Sequence, residues 1–164
     1  MDLYPWIVFG HIVGAFLFAM SHGVAAWASV QLDKEHDPIR IRALLELMGQ
    51  SLTGVYVGLL ILLVGGIWAG ILGGFFGRAW IWLALGLLIV IAVAMYLLAT
   101  RYYGSLRTAV GMRTMQTPKG APDPVPVGQQ ELDAILAHNP SAALAGIGFG
   151  GLALILFLMV LKPF

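Results

Sequence analysis

Four long apolar blocks, at about residues 6–30, 45–71, 79–100 and 141–161, constrain this chain more than any other feature. Each is long enough, at about 20 residues or more, for an α-helix to cross a hydrocarbon layer of ~30 Å. Inside such a layer the backbone has no water to bond. A crossing segment must then be a helix or a strand of a closed barrel. Barrel strands alternate polar and apolar residues, and these blocks do not. The expected fold is all-α: an integral membrane four-helix transmembrane bundle forming a single membrane domain over residues 1–164. Composition agrees. The chain is 60% hydrophobic and 10% charged, whereas soluble domains carry roughly 45–50% apolar and about 25% charged residues. So few charges cannot cover a soluble surface.

The connections have their own signatures. Met1-Asp2-Leu3-Tyr4-Pro5 lacks the basic residues of a cleavable signal, so the first block reads as a retained helix. Asp37 before Pro38 reads as a helix start, with proline in its tolerated first-turn place. Gly73 to Arg78 is a turn short enough to make spans two and three antiparallel neighbours. Pro118, Pro122, Pro124 and Pro126 mark residues 114–128 as an extended linker. Residues 129–138 form a short amphipathic helix, with Leu132, Ile135 and Leu136 on one stripe along the membrane face. Asn139 and Pro140 read as the cap and first residue of the last span.

Orientation follows from the basic residues. Lys34, Arg40 and Arg42 lie in the first connection, and Arg101, Arg107, Arg113 and Lys119 in the third. The other side has only Arg78 and Lys162. The first and third connections, with the linker and the short helix, therefore face the cytoplasm, and both termini lie outside. Tyr4, Trp6, Trp68, Trp80 and Trp82 would form the outer aromatic belt, and Trp27, Tyr102 and Tyr103 the inner one.

Helices in lipid associate through small residues that let backbones approach. Four pairs have the required spacing: Gly10 with Gly14, Gly54 with Gly58, Gly66 with Gly70, and Gly146 with Gly150. Folding spans one and two about residues 35–36 levels His22 with Gln50 and Ser51. Folding spans two and three about Phe75 adds Arg101. A polar cluster of Glu46, Gln50, Ser51 and Arg101, with His22 beside it, is expected near the cytoplasmic face. Arg42, four residues before Glu46, suits an ion pair with it.

His11 and His22 are the only histidines inside the spans. An ionisable group there is costly and so is a candidate functional residue. Eleven residues apart, they share one helix face at levels about 16 Å apart. One metal cannot bind both, but two stacked haems could each take one. Met20, Met48, Met95 or a histidine from a second copy would supply a further ligand. The competing reading is a neutral histidine hydrogen-bonded to a neighbouring helix, which His22 near Gln50 and Ser51 suits well. His36 and His138 read as solvated residues.

Other chemistries lack their residues. There is no cysteine, so this chain alone holds no disulfide, thiolate metal site or iron–sulfur cluster. Net charge is +1, giving no field for nucleic acid. No nucleophile–base pair, phosphate-binding glycine loop, H-E-x-x-H or paired-carboxylate motif is present. The pattern points away from an enzyme.

Three stretches carry a resemblance: Phe9-Gly10-His11-Ile12-Val13-Gly14-Ala15, then Asp37-Pro38-Ile39-Arg40 leading into Arg42-Ala43-Leu44-Leu45-Glu46-Leu47, and Gly77-Arg78-Ala79-Trp80-Ile81-Trp82. Over about residues 3 to 113 the chain resembles the bacterial integral membrane family of unknown function 2269. That family is distantly similar to copper-resistance-D-like membrane proteins, some of whose relatives use a first-span histidine with haem. The resemblance implies a multi-pass protein of the bacterial inner membrane, and it carries the haem role to His11 alone. Three functional expectations result. The first is a non-enzymatic helical subunit or accessory protein, packed against a second copy or another membrane protein. The second is a protein binding haem b or copper through His11 and His22. The third is a component of a small transporter.

Overall fold

The structure, a computed structural model, describes residues 2–164. It consists of α1 (Tyr4–Leu32), α2 (Pro38–Leu72), a 3-10 turn (Phe75–Gly77), α3 (Ala79–Ala109), α4 (Gln129–Leu136) and α5 (Ser141–Leu161). No strand occurs among the described residues. Four helices are long and apolar enough to cross a membrane. Their ends follow local chemistry. Asp37 caps α2 by accepting the Ile39 amide at 2.9 Å, with Pro38 in the first turn. Past α2, Gly74 takes a left-handed conformation (φ +66°) that turns the chain toward α3.

α1 and α2 form one tight antiparallel pair. At Gly14 the α2 backbone comes so near that an added Cβ would lie 2.5 Å from the Leu62 nitrogen. At Gly58 an added Cβ would lie 2.8 Å from the Phe18 Cα. Gly54 receives the Ser21 side chain, and Gly65 and Gly66 receive His11. These contacts put Gly54 opposite Ser21, so the true register lies about one helical turn from that expected, which had levelled His22 with Gln50 and Ser51.

α3 pairs with α5, not chiefly with α2. The short turn sets α2 and α3 antiparallel, but their contact is slight. Near the turn, Phe76 and Ile81 close over Gly70. At the far end, Arg107 Nη2 donates to the Leu45 carbonyl at 2.6 Å, beside Gly49. A turn fixes direction, whereas packing follows the glycine seam, and α2 has spent its seam on α1. On α5 the close approaches are at Gly148, under His22, and Gly151, under Ile91. Gly146 and Gly150, like Gly10, have open space where a Cβ would stand.

The two helix pairs are joined most firmly at the end rich in basic residues. Leu32, Ile41, Leu45, Leu106, Ala109, Val110 and Met112 form a buried cluster there, and α4 covers it with Leu132 and Leu136. Residues 114–128 hold no helix or strand, and their first part turns back on Arg113. Arg113 donates to the Pro118 and Ala121 carbonyls at 2.9 and 2.7 Å and to Asp123 at 3.1 Å. Val127 N–H then returns to the Ala109 carbonyl at 2.9 Å. At the opposite, aromatic-rich end, the Lys162 ammonium lies 4.4 Å from the Phe75 ring centroid and seats the end of α5 on the α2–α3 turn.

Away from these ends the helices keep most of their apolar surface outward. Phe16, Ile89 and Tyr96 are each about two-thirds exposed. The accessible area is 10296 Å², against roughly 7,900 Å² for a compact soluble monomer of this mass.

The seam gives a differential prediction. Gly58→Leu forces side-chain atoms into the α1 backbone and should cost about 1–3 kcal/mol or more, as overpacking does. Gly10→Leu meets open space and should stay within about 0.5 kcal/mol. Thermal denaturation of the detergent-purified variants checks the contrast.

Candidate functional site

The two span histidines occupy different surroundings. His11 turns toward α2, its ring lying over Gly66, where no side chain obstructs it. His11 Nδ1 lies 2.7 Å from the Leu62 carbonyl oxygen. A carbonyl only accepts, so Nδ1 carries the proton. In the neutral ring this leaves the Nε2 lone pair unspent, the tautomer that second-shell carbonyls select in metal-bound histidines. The same bond also satisfies an imidazole within an apolar helix pair with no ligand at all.

His22 turns toward α5. It stacks on Phe18 at 5.7 Å with the rings 2° apart, meets the Phe149 edge at 5.9 Å, and rests on Gly148. Neither Gln50 nor Ser51 is its partner: Ser51 Oγ donates to the Met48 carbonyl of its own helix at 2.8 Å, and Gln50 is exposed. The face shared by the two histidines along α1 therefore does not make one site, because α2 takes the first and α5 the second.

The expected polar cluster does not assemble either. Glu46 accepts from Arg42 Nε at 3.2 Å on its own helix. Arg101 is exposed. Among the described residues no hydrogen bond or ion pair joins Glu46, Gln50, Ser51 and Arg101. Met48 packs on the buried cluster of the basic end, and Met20 is 70% exposed. Among the described residues there is no group of three or more histidine, aspartate or glutamate side chains arranged to hold a metal ion.

The polar network that does form lies where α1 ends and α5 begins. Asp33 accepts from Ser141 Oγ at 2.6 Å and from Asn139 Nδ2 at 2.7 Å. The same Asn139 nitrogen donates to the Ser29 carbonyl at 2.9 Å, and the Ser29 hydroxyl bonds the Tyr103 hydroxyl at 2.5 Å. Tyr103 packs edge-on against Tyr102, with centroids 5.0 Å apart. Asp33 thus puts a negative charge at the α5 N-terminus, where unpaired amides and the helix dipole favour it. Two buried atoms here have no protein partner, the Tyr102 hydroxyl and Asn139 Oδ1. One is a donor and the other an acceptor, so the site can still receive a small polar group or water. Asn139 is therefore no cap of α5, as its place before Pro140 had suggested. Pro140 holds the cap position and Asn139 reaches across to α1. Asp33 and Asn139 are 106 residues apart, a separation no local pattern reveals.

Beside this network, α4 is tied to the first turn. His36 Nδ1 donates to Asp133 Oδ1 at 3.0 Å, and Gln129 Nε2 donates both to the same carboxylate and to the His36 carbonyl at 3.0 Å. The bonds from His36 and Gln129 hold the Asp133 carboxyl below its ordinary value of 3.8.

Comparison with protein-family models, curated proteins and solved structures finds no match to this chain. The geometry is therefore the ground for any functional reading.

Two outcomes follow. Asn139→Ala removes both N–H bonds to α1 and leaves the carbonyl of buried Ser29 without that donor. It should lower stability by about 1–3 kcal/mol, read as a shift in thermal midpoint. A carboxyl with a depressed folded pKa contributes stability that is present above its unfolded value, near 3.8, and lost as pH falls through its folded value. A spin label at Ala134 should therefore become more mobile on acidification below about pH 4, and Asp133→Asn should show no such transition.

Proposed function

We infer that this chain is a multi-pass membrane protein acting as a non-enzymatic helical subunit or accessory protein. One observation carries the reading. In the apolar stretches of the four long helices, only 6% to 17% of residues are buried by the chain itself. The rest of that surface needs an apolar medium, and lipid or other membrane helices provide it. In water such contiguous apolar area would drive association.

The clustering of Lys34, Arg40, Arg42, Arg101, Arg107, Arg113 and Lys119 toward one end supports a cytoplasmic basic end, with both termini outside. With the sequence resemblance, this favours the inner membrane of a bacterium. Gly146 and Gly150 lie open on α5, so a second copy or another membrane protein can approach there without displacing a contact. The Asp33–Asn139–Ser141 network and α4 hold the bundle from the cytoplasmic side.

A second reading rests on His11. Its proton is committed to the Leu62 carbonyl, and the free Nε2 suits one axial position of a haem b iron or a copper ion. His22, between two phenyl rings and a glycine, suits a partner or ligand at a separate level.

The protein should stay with carbonate-washed membranes and leave them only in detergent. Gly146→Leu and Gly150→Leu should leave the isolated chain's thermal midpoint unchanged while abolishing co-purification of its partner. Retention of every partner by both variants would overturn the docking face. For the second reading, protein from haem-replete cells should show a Soret band that His11→Ala removes, and a colourless, metal-free protein would remove the haem and copper role.

A further inference from the structure

A cleft of about 640 Å³ opens at the aromatic-rich end, between the start of α1 and the end of α2. It is an open groove rather than an enclosed cavity. Three of its features select the same chemistry. Asp2 brings a carboxylate to the wall, one oxygen of which accepts the Tyr4 amide at 3.0 Å. Tyr4 and Trp68 supply aromatic rings, whose faces attract cations, beside a Phe75 ring already engaged by the Lys162 ammonium. Leu72 and Gly73 place the α2 C-terminus in the wall, where the helix dipole presents its negative end.

An anion would meet repulsion from the carboxylate and from the helix end. A neutral apolar ligand would leave Asp2 desolvated. A small, strongly hydrated metal ion would find one carboxylate and no set of oxygen ligands. A substituted ammonium, with diffuse charge and an apolar skin, satisfies all three features. The protein already uses this chemistry next door: the Lys162 ammonium lies 4.4 Å from the Phe75 centroid and 5.8 Å from that of Trp80.

We propose that the cleft lined by Asp2, Tyr4, Trp68 and Phe75 binds a substituted ammonium group. The group comes either from a choline or ethanolamine lipid headgroup or from a free quaternary amine. The site requires neither a haem at His11 nor a partner on α5.

The test uses the full-length protein in detergent and in mixed bilayers. Tetramethylammonium chloride is titrated by calorimetry, with sodium chloride as control. Asp2→Asn keeps the acceptor for the Tyr4 amide and removes the charge. Trp68→Leu removes a ring that is 53% exposed, so both variants should fold. Each should weaken tetramethylammonium binding by about three- to tenfold, and sodium should not compete. Native mass spectrometry after extraction from phosphatidylcholine, phosphatidylethanolamine and phosphatidylglycerol mixtures separates the sources. Retention of the first two lipids by the wild type, reduced in Asp2→Asn, assigns a lipid headgroup. Tetramethylammonium binding without lipid selection assigns a free amine. No tetramethylammonium binding and no lipid selection, or affinities unchanged in both variants, overturns the proposal.

Discussion

The close approach of α1 and α2 is the most extensive helix contact in the protein. At Gly14 and Gly58 backbone meets backbone, with no room for a side chain on either seam residue. Such an approach multiplies weak dispersion contacts along the length of two long helices. It also makes the His11 bond available, because only a helix this near lets an imidazole on α1 reach the Leu62 carbonyl of α2. The pair then serves as a rigid unit to which α3 and α5 attach.

The attachment uses different physics. The largest wholly buried side chains, Leu32, Ile41, Leu45, Leu106 and Leu132, cluster at the basic end. In the membrane reading this end faces water, where burying apolar area is itself a driving force. Between the ends, where lipid would surround the helices, that force is absent and glycine seams replace it. In that reading the chain meets two packing problems in two media. Arg107 bonded to Leu45, and Asp33 bonded across to Asn139 and Ser141, sit at the boundary between them.

This division explains which residues could be read without coordinates. Asp37 as a cap and Arg42 with Glu46 are local patterns set by spacing along one helix, and the structure has both. The polar cluster with His22 required a register between helices, and an offset of about one turn dissolves it. Glycine spacing marked residues able to sit on a seam but not which of them do. On α5 the seam runs through Gly148 and Gly151, while the textually similar Gly146 and Gly150 face away. Asn139 carried a local meaning, a helix cap, and takes a long-range one because Asp33 and the Ser29 carbonyl are brought within its reach.

Helical class, four apolar helices and the sidedness of the charge are legible in the residues alone. These follow from the length and polarity of contiguous segments and need no knowledge of neighbours. Tertiary structure alone decided that α2 belongs to α1 and α3 to α5, that the two histidines face different helices, and that the linker folds back on Arg113. Those outcomes turn on rotations and offsets of a few ångströms between rigid helices. Many registers satisfy the same apolar pattern, and only packed contacts select among them.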